Sequence, residues 1–121
     1  MNQADRNELC LRLVDLDAMI RFAGVIDRTG ALIAGGMKEG LQSLEKDEES
    51  MKLYLSYAIN NIMREDFDSI FGKVLYTVSE REKIKLATFP LGNDILLISM
   101  ARDAAHGKVI QSVIDILHSP S

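Results

Sequence analysis

The sequence predicts an α+β fold: a five-stranded antiparallel sheet with helices on both faces, in the order α-β-β-α-β-β-β-α. Three observations support this class. Apolar residues recur with helical spacing near both ends of the chain and in a long central segment. Short runs rich in β-branched residues lie between these segments. The turns that join these runs are too short to hold a helix, so neighbouring strands are expected to pair as hairpins.

Composition limits the classes of partner. The chain has 121 residues and a net charge of -4, which fits a single domain over residues 1–121. Its acidic balance and scattered basic residues argue against nucleic acid as a partner. No apolar run approaches the roughly 20 residues of a membrane span, and the polar N-terminus lacks the apolar core of a signal peptide. We therefore expect a cytoplasmic protein with no membrane insertion.

The first helix is predicted over residues 5–18, with Asp5 as its N-cap and Glu8 in the position of a capping box. It carries the single cysteine, Cys10, which excludes an intrachain disulfide and a thiolate zinc site. Leucines surround this cysteine in the sequence. They favour a half-buried structural thiol over a reactive one.

The glycine-rich stretch FAGVIDRTGALIAGG, residues 22–36, poses a choice between a hairpin and a phosphate-binding loop. A P-loop needs a lysine followed by Ser or Thr after its last glycine, but Gly36 is followed by Met-Lys-Glu. The spacing does not give G-x-G-x-x-G either. We therefore predict strands at 22–26 and 31–34, a turn in which Gly30 supplies the positive φ, and a strand end at Gly35 and Gly36.

The longest predicted element is a helix over residues 43–71, capped by Ser43 and bent or broken between Arg64 and Asp66. Gly72 is a natural terminator. An acidic cluster at residues 45–49 lies near its start, where the helix dipole favours negative charge. An apolar stripe follows the helix: Met51, Leu55, Ile59, Ile62, Met63, Phe67, Ile70 and Phe71.

Three more strands are predicted at residues 73–78, 83–89 and 95–100, joined by polar turns. In the second of them Ile84 and Leu86 occupy one face, and Lys83 and Lys85 the other. The run ILLISM at 95–100 is apolar enough for a central strand. A final helix, capped by Asp103, has one apolar face. The residues of that face are Val109, Ile110, Val113, Ile114 and Leu117.

Two local patterns resemble a known family. GVIDRTGALIAG is similar to the first hairpin of roadblock/LC7 proteins, and LLISMARDAAHGKVIQSVIDIL is similar to their last strand and helix. With the element order, these patterns make residues 9–117 resemble a roadblock/LC7 domain, a relative of the profilin-like and longin folds. The phrases IRFAGVIDRTGALIAGGM and SEREKIKLATFPLGNDILL more closely resemble a group of small thaumarchaeal proteins, which implies an archaeal cytoplasm.

The resemblance implies a non-enzymatic dimeric interaction module. Roadblock proteins form homodimers or heterodimers through the edge strand after the long helix, and they serve as platforms or regulators for small Ras-like GTPases. The expected partners are thus a second copy, another roadblock-type chain or a small GTPase. By position, the helix contacts would be Met51, Leu55, Ile59 and Ile62. The pairing edge would be Val74, Leu75, Tyr76, Thr77 and Val78. The charged segments at 45–49 and 64–68 depart from the family pattern.

Elementary sheet physics also favours dimerisation. An open five-stranded sheet leaves edges with unpaired backbone donors and acceptors, which proteins block or pair. Residues 74–78 contain no proline and no charge, so this edge is poorly defended. Methionines on the long helix would suit an adaptable interface, or they belong to the core. On the edge-pairing reading, Tyr76→Pro should give a monomer.

No catalytic or cofactor-binding motif is present. The two histidines, His106 and His118, lack a neighbouring nucleophile or second ligand and are expected at the surface. The clustered carboxylates match no calcium loop and fit a solvated helix face better than a metal site. We therefore predict no enzyme, no cofactor and no metal. Arg81 in the turn at 79–83, and equally Arg64, is either an ordinary surface charge or an arginine presented to a partner.

An alternative function is a small-ligand sensor of profilin- or PAS-like fold. Small residues at 23–24 and 34–36 would leave room for a cavity between sheet and helices, or would let a helix pack closely on the sheet.

Overall fold

The computed structural model describes residues 1–118; the last three residues of the predicted 1–121 domain lie outside this range. The predicted α+β class and element order are confirmed, with a short additional helix after the long one. The elements are α1 Gln3–Val14, β1 Ile20–Ile26, β2 Leu32–Met37, α2 Asp47–Glu65, α3 Asp68–Phe71, β3 Thr77–Glu80, β4 Ile84–Leu91, β5 Asp94–Ala101 and α4 His106–His118.

The five strands form one antiparallel sheet in the order β2-β1-β5-β4-β3. As predicted for ILLISM, β5 is the central strand, and its residues 95–100 are all buried. Its hairpin to β4 is a two-residue turn in which Gly92 has φ 62, a conformation that glycine adopts without strain. The edges are β2 on one side and β3 on the other.

The larger hydrophobic core lies between the sheet and the helices α1 and α4. Leu13 of α1 and Val113 of α4 are fully buried there, together with alternate residues of β1, β4 and β5. The predicted apolar face of the last helix is confirmed: Val109 and Ile110 are buried, and Ile114 and Leu117 are partly buried against the same core. Cys10 also belongs to this core, and burial raises the pKa of its thiol.

The opposite face of the sheet is covered by α2 and has a smaller core. Phe22, Ile26, Leu86 and Leu97 are buried on this face, with tyrosines of α2 packed against them. The rings of Phe22 and Tyr54 stack with centroids 6.1 Å apart. Helices therefore lie on both faces, as predicted.

The glycine-rich stretch is a hairpin, which excludes the P-loop reading. The Asp27 carboxylate accepts hydrogen bonds from Thr29 Oγ1 at 2.6 Å and from the amides of Thr29 and Ala31. Gly30 has φ 87, as predicted for the turn. The predicted strand boundaries were partly wrong: β1 begins at Ile20 rather than Phe22, and β2 runs from Leu32 through Gly35 and Gly36 to Met37. Gly35 takes φ 87 within the strand, and its missing Cβ lets Cys10 approach.

Three predicted caps were wrong. The side chain of Asn2, not that of Asp5, caps α1 by accepting a hydrogen bond from the Asp5 amide. Ser43 lies in a loop, donating its hydroxyl proton to the Glu45 carbonyl, and α2 begins only at Asp47. Helix α4 begins at His106, three residues after Asp103. At the start of α1 both Asn2 and Asp5 are able to cap, and local spacing does not rank them.

The predicted break in the long helix is confirmed, since α2 ends at Glu65 and α3 begins at Asp68. Gly72, with φ 82, ends α3 as predicted. In the part of the chain that the structure describes, no helix is both long and apolar enough to cross a membrane.

Candidate interaction surface on the α2 side of the sheet

Helix α2 rests on the sheet along one narrow line of residues. Tyr54 and Tyr57 pack against the smaller core, and Ala58 is the one buried residue that the helix contributes. Burial raises the pKa of both tyrosine hydroxyls. A tyrosine ring can pack on the sheet while its hydroxyl stays near solvent. These two tyrosines therefore explain which side of α2 faces the sheet.

The predicted contact stripe of α2 lies on its exposed flank. Met51 is 70% exposed, Leu55 46%, Ile59 47% and Ile62 37%. These residues recur at intervals of three and four, so they share one side of the helix, next to the sheet-facing line. The sequence pattern located this stripe but did not show whether the sheet or the solvent covers it.

The exposed apolar surface continues beyond the end of α2. We call the stripe and this continuation the apolar flank; it comprises Met51, Leu55, Ile59, Ile62, Met63, Phe67, Ile70, Phe71 and Leu75. Phe71 is 80% exposed, and its ring stacks on Phe67 with centroids 6.3 Å apart. Isolated exposed apolar residues are common, but nine large ones within residues 51–75 are more typical of an interaction site.

The predicted pairing edge is only partly a strand. Thr77 and Val78 belong to β3, whereas Val74, Leu75 and Tyr76 precede it without a strand partner. The predicted range 73–78 was therefore wrong by about four residues. Gly72, in the left-handed region, redirects the chain after α3, and pairing to β4 begins only at Thr77 opposite Thr88. The two threonine hydroxyls share a hydrogen bond.

The two speculative partner residues lie at opposite ends of α2. Arg64 is in the last turn of the helix and lines a small cleft with Tyr57 and Val74. Arg81 follows β3 in the turn before β4, where its amide donates to the Ile84 carbonyl at 2.9 Å. Both side chains are exposed, and neither forms an ion pair within residues 1–118. Both charges act on the Tyr57 hydroxyl between them, where they oppose the rise that burial causes in its pKa.

A cavity of about 340 Å³ lies between the sheet and the first half of α2. Its apolar lining includes Phe22, Leu53, Tyr54, Leu86 and Leu97, and the lining also contains Ser99, two arginines and two glutamates. Sequence reasoning did not predict this cavity, because its walls come from segments distant along the chain and no local motif marks it.

The small residues at 23–24 and 34–36, where a cavity was expected, have different roles. Ala23, Gly35 and Gly36 line an open groove beside Cys10, but Gly24 and Ala34 do not. A Cβ on Gly35 would lie 2.9 Å from Cys10 Sγ, so this glycine lets α1 approach the sheet. The second of the two readings, close helix packing, therefore describes Gly35.

A charged cluster joins β3, β4 and the start of α4, and it corrects two sequence expectations. Lys85, predicted on a polar face, is only 6% exposed. Its ammonium donates to the Ala104 carbonyl at 2.8 Å and lies 3.0 Å from Nδ1 of His106, which is thus half-buried rather than fully solvated. His118 is exposed at the end of α4, as expected.

The carboxylate of this cluster is Glu80, whose Oε1 lies 3.3 Å from Lys85 Nζ. The hydrogen bond and charge of Lys85 hold the pKa of Glu80 below its usual range, and Arg102 and His106 add smaller effects. Each polar group of the cluster is engaged by another, so the arrangement is typical of a structural network rather than a catalytic pair. Within the described 118 residues, no three His, Cys, Asp or Glu side chains are placed to hold a metal ion.

Comparison with solved structures shows a roadblock/LC7-like fold. The gliding protein MglB from Thermus thermophilus superposes with a TM-score of 0.77 at 17% identity, covering 98% of this chain and 87% of that one. A structure described as MglB with tetrameric arrangement has the same TM-score and identity, covering 96% and 85%. The roadblock/LC7 domain from Streptomyces avermitilis has a TM-score of 0.69 at 14% identity, covering 92% and 90%.

These identities are low, so the likeness to solved structures shows the fold alone. The sequence comparison with curated proteins gave no match. One sequence-family profile, described as a family of unknown function (DUF6659), matches residues 1–119. Since that match extends over almost the whole sequence, the chain belongs to the DUF6659 family, and its fold is that of a roadblock/LC7 domain.

Proposed function

We propose that this protein is a non-enzymatic dimeric interaction module that acts as a platform or regulator for a small Ras-like GTPase. The observation that carries the proposal is the exposed apolar flank of α2 and α3, in which Leu55 lies beside Gly30 of the turn between β1 and β2. A second copy that covers the flank would remove these side chains from water, and pairing along the edge strand β3 would be a separate contact.

The energetic case rests on apolar area and an unpaired edge. Fully burying one large apolar side chain contributes roughly 1.5–3 kcal/mol, and each copy presents at least four on the stripe of α2. Association costs on the order of 4–15 kcal/mol in lost translational and rotational entropy. The free energy gained by burying the apolar stripes of two copies is of the size needed to offset this cost. Added pairing along β3 would satisfy its outward backbone groups.

The partner class follows from the fold relationship. One MglB structure of this fold is described as tetrameric, which supports self-association or pairing with another roadblock-type chain. A small GTPase is the third partner, suggested by the roadblock resemblance, with Arg64 and Arg81 as candidate contacts. The net charge of -4 disfavours nucleic acid. A cytoplasmic setting in an archaeal cell stays a prediction.

The dimer is tested by light scattering coupled to size exclusion over a hundredfold concentration range. We expect a dimer mass for the native chain and a monomer mass for Ile59→Glu, because two carboxylates would face each other in the buried stripe. The matched control is Leu11→Glu on α1, which is 67% exposed on the other side of the sheet. Native monomer at every concentration would overturn the dimer, and a dimer mass for Ile59→Glu would show that the α2 stripe is not its interface.

GTPase binding is tested separately. The native dimer is mixed with purified small Ras-like GTPases loaded with GDP or a non-hydrolysable GTP analogue, and complexes are detected by size exclusion. Arg64→Ala and Arg81→Ala are expected to weaken the complex while leaving the dimer mass unchanged. If the dimer binds no GTPase in either nucleotide state, the proposed GTPase role is contradicted and the proposed self-association is unaffected.

A second candidate function is a small-ligand sensor, favoured by the cavity under the first half of α2. Its volume of about 340 Å³ falls in the range of roughly 300–1,000 Å³ typical of ligand sites. A ligand that binds only the native state would raise the melting temperature in a metabolite screen. No shift with any compound would count against this function.

A further inference from the structure

The cavity between α2 and the sheet has a polar rim and an apolar interior. Its interior is formed by Phe22 and Leu97 from the sheet and by Leu53 and Tyr54 from α2. Since one water molecule occupies about 30 Å³ of liquid, a cavity of about 340 Å³ accepts on the order of ten non-hydrogen atoms. An apolar body of that size fits the interior.

Arg21 is directed to this cavity by an irregularity in β1. The register of β1 against β5 shifts between Ile20 and Phe22, so Arg21 is the extra residue of a bulge. Ile20 belongs to the α1–α4 core, whereas Arg21 lines the cavity together with Phe22. Bulges commonly redirect a side chain in this way. The guanidinium donates to the Gln42 carbonyl at 3.2 Å and makes no ion pair among the described residues.

Arg81 also lines the cavity, from the turn between β3 and β4. It too lacks an ion-pair partner in the described part of the chain. Two guanidinium groups therefore border an apolar cavity with most of their donors unused. A guanidinium group matches a carboxylate in geometry and charge.

The two glutamates of the lining are already engaged. Glu45 Oε1 accepts a hydrogen bond from Ser50 Oγ at 3.0 Å, and Glu49 Oε1 accepts one from the Lys46 amide at 3.0 Å. Both lie at the N-terminus of α2, where the helix dipole offsets negative charge. Neither glutamate forms an ion pair with Arg21 or Arg81 among the described residues, so both guanidinium groups keep donors available to an anionic ligand.

From these observations we infer that the cavity binds an amphipathic carboxylate, with its apolar body against Phe22, Leu53 and Leu97 and its carboxylate at Arg21 and Arg81. This inference rests on the second candidate function and is independent of the dimer. Neutral compounds of the same length would lose the guanidinium contacts. Amines would place a cation beside two arginines.

The probes are octanoate, octan-1-ol and octylamine, which share one chain length and differ in the charge of the head group. Binding to the native chain is followed by methyl NMR at Leu53, Leu86 and Leu97. We expect octanoate to shift these signals. Its affinity should exceed that of octan-1-ol by roughly a factor of ten or more, because a hydrogen bond between charged groups contributes about 1.5–3 kcal/mol. Octylamine is expected to bind most weakly.

The variants are Arg21→Gln and Arg81→Gln, alone and combined, with Arg64→Gln as a matched control at the far end of α2. The double variant should lose the preference for octanoate over octan-1-ol, whereas Arg64→Gln should retain it; melting curves verify that each variant is folded.

Equal binding of octan-1-ol, tighter binding of octylamine, or an unchanged preference in the double variant would overturn the carboxylate site. Shifts confined to other methyl groups would also overturn it. If none of the three probes binds while a different metabolite raises the melting temperature, the ligand class is wrong but the sensor function stands.

Discussion

Lys85 and Glu80 face each other across the outer strand pair of the sheet, with Lys85 Nζ 3.3 Å from Glu80 Oε1. The lysine is buried and its carboxylate partner is half-exposed. The same ammonium donates to the Ala104 carbonyl, just before α4. One side chain therefore joins the edge strand β3, its neighbour β4 and the start of the last helix.

Lys85→Met is expected to destabilise the fold by about 1–3 kcal/mol, because it removes the donor to a carbonyl held against the core. The matched control is Lys83→Met, which changes an exposed lysine two residues earlier and should stay within about 0.5 kcal/mol of the native chain. Urea unfolding measures both. Equal stability of the two variants would show that the Lys85 contacts contribute no net stability.

Glu80 should make stability depend on pH in the acidic range. Its folded-state pKa is lowered by Lys85, so its contribution is present above the unfolded-state pKa of about 4.3 and is lost as pH falls through the lower folded-state value. We expect the native chain to be more stable than Glu80→Gln at pH 7 and the difference to narrow at pH 3. Urea unfolding at the two values tests this, and a difference that stays constant or grows in acid would contradict it.

Replacement by alanine should change the stability of the protein very differently at two adjacent glycines of β2. A Cβ at Gly35 would lie 2.1 Å from the Ala23 carbonyl oxygen, and its φ of 87 is unfavourable for alanine. That conformation alone costs on the order of 1–3 kcal/mol. At Gly36 no atom lies within 4 Å of an added Cβ. Thermal melts should show a large loss for Gly35→Ala and little change for Gly36→Ala; a comparable loss in both would refute the packing role of Gly35.

Cys10 should react slowly with thiol reagents in the folded protein. It is 2% exposed, and burial raises its pKa, so little thiolate forms and little reagent reaches it. We expect a colorimetric disulfide reagent at pH 8 to label the native chain far more slowly than the chain in denaturant. The reverse reading, a reactive cysteine, would be supported if native and denatured rates were similar.

Local sequence features predicted the elements that depend on near neighbours. The turn at Gly30 and the end of α3 at Gly72 follow from the backbone freedom of glycine. The central position of β5 follows from its apolar run, in which Ser99 is the one polar residue between Ile95 and Met100. The cap of α1 was less predictable because two polar residues, Asn2 and Asp5, compete near the start of that helix.

The sequence by itself determined the element order, the hairpins and the apolar stripes of this protein. Only the tertiary structure decided which side of α2 the sheet covers, since Tyr54 and Leu55 both lie on apolar lines of the helix. It likewise decided that Lys85 is buried and that Arg21 borders a cavity. These outcomes depend on contacts between segments far apart in the chain, and a local pattern contains no information about which distant residues it will meet.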